Sequence, residues 1–107
     1  MASEREEKKR LLERLLDISA EQRRLLQENR LVDVLRRQEE RDRLVARLKV
    51  LAPGGLGGDD ALRALAGKVV EEDRSLGVSI RTSMDDIRRK LMRISGGVKA
   101  ARAYGSR

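Results

Sequence analysis

The chain of 107 residues has no cysteine, histidine, phenylalanine or tryptophan, and only one tyrosine and one proline. Without cysteine there are no disulfides and no thiol chemistry. Without histidine as well, the ordinary zinc sites and the commonest general base are gone. A thiol-free composition suits the cytoplasm, which is the expected location. Aromatics make up 1% of the residues, which argues against a layered compact core, because large rings usually fill such cores. No apolar run approaches the roughly 18 residues of a membrane span. The opening MASEREEKKR leads into no apolar region of the kind a cleaved signal carries.

What is present is charge and aliphatic carbon. Charged residues are 40% of the chain, and the apolar remainder is mostly Leu, Val, Ile and Ala, a composition typical of long helices and coiled coils. No alternating runs of Val, Thr and aromatics suggest a sheet. The net charge of +7 is unevenly placed. Acidic and basic residues balance up to Asp86, and the whole excess follows it in Arg88, Arg89, Lys90, Arg93, Lys99, Arg102 and Arg107. A neutral body ends in a basic segment.

The apolar residues recur at helical spacing. Ser3 followed by Glu6 fits a capping box. Leu11, Leu15, Ile18, Leu25, Val32, Leu35, Val45, Leu48 and Leu51 then mark a helix over about 3–52. Pro53 and the glycines of GGLGG end it in a turn over 53–58. Asp59 and Asp60 offer an N-cap and helix-start acids. Leu62, Leu65, Val69, Leu76, Ile80, Ile87, Leu91 and Ile94 mark a second helix over about 59–95, reaching 103 if Val98 continues the pattern. Gly67 and Gly77 weaken this helix without ending it, each by about 1 kcal/mol relative to Ala. Ser95-Gly96-Gly97 is where it should end or fray.

These segments predict an all-α, single-domain chain folded as an antiparallel hairpin of two long helices. Across the glycine turn, Leu48 should face Leu65, Leu44 face Val69, Val32 face Ile80, Leu25 face Ile87, and Ile18 face Ile94. Arg36, Arg37, Arg41 and Arg43 should lie near Glu71, Glu72 and Asp73, as weak solvated ion pairs. The first helix nevertheless has more apolar surface than one partner needs, because its apolar residues come as doublets. A two-stranded seam uses two positions in seven, and a wider stripe implies more neighbours. Leu12, Leu16, Leu26 and Leu31 are left over. Self-association would cover them, as would a partner helix or a kink near Asn29-Arg30 giving a three-helix arrangement.

No constellation for catalysis appears, so an enzyme is not expected, and neither is a metal or cofactor. GGLGG lacks a following Lys-Ser/Thr and sits between helices, so it is a turn and not a phosphate loop. The pairs Asp59-Asp60 and Asp85-Asp86 lie at helix starts or on exposed faces, with no nucleophile beside a base. RRKLMR on a helix could meet phosphates or an anionic membrane surface. The balanced body and the lack of stacking aromatics argue against nucleic acid, and no zipper follows the basic segment.

A leucine-rich helix, LLERLLDISAEQRRLLQENRLVDVLRRQEERDRLVARL, then a glycine turn, a second helix and a Tyr-Gly tail resemble the FlgN family of flagellar type III export chaperones. The segment RSLGVSIRTSMDDIRRKLMRI matches the family at Gly77 and Ile80, with Leu76 where the family has Asn, and the tail match is Tyr104-Gly105. The chain is short for that family, which keeps the smaller FliT-type chaperones in play. The resemblance implies a cytoplasmic chaperone that binds the C-terminal helical region of the hook-associated proteins FlgK and FlgL. It would prevent their premature assembly and deliver them to the export gate FlhA. The cargo helix would lie in a groove at Leu12, Leu16, Leu26 and Leu31, and Tyr104 would dock the gate or fold back near Leu11. The basic patch Arg88, Arg89, Lys90 and Arg93 would flank the tail. The contrasting expectations are a self-associating structural coiled coil and a basic-tailed binder of nucleic acid or anionic lipid.

Overall fold

The computed structural model describes residues 3–105, with side chains through residue 97. Three helices and no strand occur among the described residues: α1 Glu4–Gln27, α2 Leu31–Leu51 and α3 Asp60–Gly105. The kinked alternative is therefore the one found. The chain divides into two compact units, Met1–Leu76 and Gly77–Arg107. The first contains α1, α2 and the opening of α3, and the second contains the rest of α3.

Ser3 caps α1 by accepting the Glu6 N–H at 3.2 Å, which satisfies one free donor of the first turn. The helix ends at Gln27 with Glu28 as its cap, and Asn29 just beyond has a left-handed φ of 59°. Asparagine tolerates this conformation better than most non-glycine residues. The Arg30 N–H reaches the Leu25 carbonyl at 2.9 Å and the Asn29 N–H reaches that of Leu26 at 3.1 Å. This pair of bonds satisfies two end carbonyls and reverses the chain. α2 then starts at once, with the Val34 N–H on the Arg30 carbonyl and Arg30 Nε on Asp33 at 2.8 Å.

α2 returns antiparallel to α1, as the cross-contacts show. Gln22 Nε2 donates to the Val34 carbonyl at 3.1 Å, Arg41 Nη1 to Ser19 Oγ at 2.7 Å, and Arg47 pairs with Glu7 at 2.7 Å. The opening of α3 runs parallel to α1, with Arg5 on Asp59 at 2.6 Å and Arg23 on Glu72 at 2.8 Å. The core collects Leu12, Leu15, Leu62 and Val69, with Leu16, Leu44, Val45, Leu48, Leu56, Leu65 and Ala66 packed on it. Each fully buried aliphatic contributes about 1.5–3 kcal/mol.

The expected register is found beside the glycine turn. Leu48, Leu65, Leu44 and Val69 share the core, and Arg41 meets Asp73 at 3.1 Å. Farther out, the residues of the pairs predicted as Val32 with Ile80, Leu25 with Ile87 and Ile18 with Ile94 differ in burial. Val32, Ile87 and Ile94 are exposed while Ile18 and Leu25 are buried. The reason is Asn29: once α2 folds back, it covers the face of α1 assigned to the second helix. Three of the predicted arginine positions shift accordingly. Arg36 turns to Asp33 and Arg37 to Glu21 and Glu40, and among the described residues Arg43 makes no ion pair.

Gly55 and Gly57 occupy left-handed φ values of 90° and 61° in the second turn, where a side chain would strain the backbone. Asp59 caps α3 by accepting the Leu62 N–H at 3.1 Å. The helix continues through Ser95-Gly96-Gly97, past the shorter of its two expected extents, and is described as far as Gly105. Among the described residues, no helix is long and apolar enough to cross a membrane.

Candidate functional site

In the first unit the last core residue on α3 is Leu76, at 2% exposure. In the second unit Ile80 is half-buried, and the larger apolar residues from Met84 to Ile94 lie open. Met84 and Ile87 are more than two-fifths exposed, Leu91 is 60% exposed and Ile94 63%. Ile80, Met84, Ile87, Leu91 and Ile94 follow one another at alternating intervals of four and three. That spacing places them in one row along a helix. The row is about 21 Å long at 1.5 Å per residue and two positions in seven wide. Isolated exposed aliphatics are ordinary, but a row of this kind has the spacing of one side of a helix-pair seam.

The charges around the row are sorted. Arg81 and Arg88 fall along one edge and Lys90 along the other, all exposed. Asp85 and Asp86 point to the half of the helix away from the row, and Asp86 is bonded to Arg89 at 2.9 Å. Neither Arg88 nor Lys90 has an acidic partner among the described residues.

The residues singled out from sequence are scattered by comparison. Leu12 is 1% exposed and lies in the core under α3. Leu12 therefore cannot line an open groove, because the chain's own third helix covers it. Leu16 is half-buried against that core and lines a small notch with Ala20, Arg23, Lys68 and Glu72. Leu26 and Leu31 are half-buried on either side of the Asn29 reversal. Arg88, Arg89, Lys90 and Arg93 are exposed on α3. Tyr104 and Gly105 belong to the last turn of α3, but the Tyr104 side chain lies outside the described residues, so its docking or clasping role does too.

A second concavity, about 610 Å³, opens beside the α1–α2 reversal and is lined by Glu21, Arg24, Arg30, Arg37 and Glu40 among others. Its charges are largely spent on each other. Arg14 pairs with Glu40 at 2.9 Å, and Arg37 with both Glu21 and Glu40 at 3.1 Å. The hydrogen bonds that Arg14 donates to Glu40 hold that carboxyl below its usual range and raise the Arg14 guanidinium. Nothing here sets a nucleophile beside a base. Among the described residues, no cluster of acids could hold a metal ion.

Two features were missed from sequence. One is the buried polar group Ser19, Gln22 and Arg41, which polar residue type conceals. The other is the open row itself, whose periodicity was legible but was assigned to the interior. Helix length carries the missing signal: with a break at Asn29, α1 and α2 have 24 and 21 residues against 46 for α3. Comparison with known proteins assigns no family: no family model, curated protein or solved structure matches this chain.

Proposed function

We propose that the chain is a helix-binding export chaperone of the FlgN or FliT type. It holds the C-terminal helical region of a hook-associated protein such as FlgK or FlgL and passes it to the export gate FlhA. One observation carries this reading: the row of half-buried Ile80 and exposed Met84, Ile87, Leu91 and Ile94, an apolar seam along a single helix. A helix laid on such a row buries its own apolar face by the helix-in-groove mode of peptide recognition. The cargo site is thus on α3, and not at Leu12, which serves the core.

The test is calorimetry of the full chain with a peptide spanning the cargo's C-terminal helix, paired with light-scattering sizing. The expected result is a saturable complex that Leu91→Asp abolishes. A chain that forms a stable higher oligomer and ignores every cargo peptide would end the chaperone reading in favour of a structural coiled coil. Tyr104→Ala should spare cargo binding and weaken capture by FlhA.

A further inference from the structure

We infer that the helix received by the α3 row is an acidic one, carrying Asp or Glu at the positions that flank its own apolar seam. The inference rests on the helix-binding reading and names the chemistry of the partner at that same site. In a helix pair, the residues beside the seam face the partner's flanking residues and set partner choice and orientation. Here those positions hold Arg81 and Arg88 on one side and Lys90 with Ser83 on the other, and no carboxylate. The two acids of the stretch lie on the far half of the helix, where Asp86 is already bonded to Arg89. An acidic partner would neutralise Arg88 and Lys90, which have no acidic partner of their own among the described residues.

The same sorting argues against two other occupants. A second copy of this helix would bring one basic edge against another, and like charges across a seam are destabilising. A bilayer surface favours a broad apolar face with basic residues around it. This row is narrow, has no aromatic residue, and has Asp85 and Asp86 on its polar side. A slim seam with one sign of charge beside it fits a single complementary helix.

Three designed peptides test this against the full chain. They share one leucine–isoleucine seam and differ only in flanking residues, which are all Glu, all Gln or all Lys; the cargo peptide is run beside them. We expect the Glu peptide to bind at least about tenfold tighter than the Gln peptide. That advantage should shrink as salt rises from about 0.1 M towards 1 M, where screening shortens to a few ångströms. The Lys peptide should not bind. The double variant Arg88→Glu with Lys90→Glu, checked by circular dichroism to keep its helix, should reverse the order of the Glu and Lys peptides.

Equal binding of all three peptides, with the cargo peptide also bound, would overturn the acidic-partner inference and leave the chaperone reading standing. Glu-peptide binding without cargo binding would uphold the inference and remove the chaperone reading. Failure of every peptide would end both. Self-association lost on Leu91→Asp would overturn the inference in favour of a second copy. Binding to phosphatidylserine vesicles that excludes the Glu peptide would overturn it in favour of a lipid surface.

Discussion

Asn29 has a disproportionate effect for one residue, because its left-handed backbone ends α1 and starts the return that becomes α2. Its role is conformational, so substitutions there should sort by backbone tolerance and not by size or polarity. Asn29→Gly should leave stability nearly unchanged. Asn29→Val should cost about 1–2 kcal/mol, since a branched side chain pays the full penalty of that conformation; urea unfolding would measure both. Carboxylates at the helix ends and crossings act through charge. Asp59 accepts the Leu62 N–H and faces Arg5, and together these hold its carboxyl below its usual range. Glu40 is held low by Arg14 in the same way. A carboxylate whose pKa is lower in the folded chain adds stability above its unfolded pKa and loses that contribution as pH falls through the folded value. Unfolding free energy should therefore be flat from neutral pH to about 5 and decline below about 4. Asp59→Asn with Glu40→Gln should flatten that decline, as followed by urea titration at each pH.

At the scale of elements, the interesting helix is α3. It passes through Gly67, Gly77, Gly96 and Gly97 without interruption, although glycine is the poorest ordinary helix former after proline. A Cβ built at Gly77 would meet nothing within 4 Å, so the position has room for alanine. Gly77→Ala should stabilise the helix by about 0.4–1 kcal/mol, seen as a higher midpoint in a thermal melt by circular dichroism. Most of this element was legible in the sequence, since leucine spacing, the Asp59 cap and the glycine turn each have a local cause. Its neighbours were not. Periodicity tells which face of Ile87 or Ile94 is apolar, but not whether another helix covers that face. That depends on whether the chain bends at Asn29, and no proline or glycine marks the bend. Arg41 was unreadable for a related reason. It is 3% exposed between Ser19 and Asp73, and only packing reveals that an arginine among seven neighbouring charges is the one drawn inside.

For the whole molecule, the distribution of apolar residues separates two tasks. Leu12 and its partners make the core, so Leu12→Ala should cost about 2–5 kcal/mol and lower the unfolding midpoint sharply. Leu91→Asp, at a residue already in water, should leave that midpoint unchanged and remove partner binding; chemical unfolding and calorimetry on the same two variants check both statements. The candidate site was legible to the same degree as the fold: the basic segment and the apolar spacing were visible in the sequence, while their openness was not. The return at Asn29 thus has an evolutionary consequence. Because the core closes with residues up to Leu76, mutations along the exposed row from Met84 to Ile94 can accumulate at little cost to stability. Under the proposed function, such a chain can drift toward a new client while its folded half stays the same.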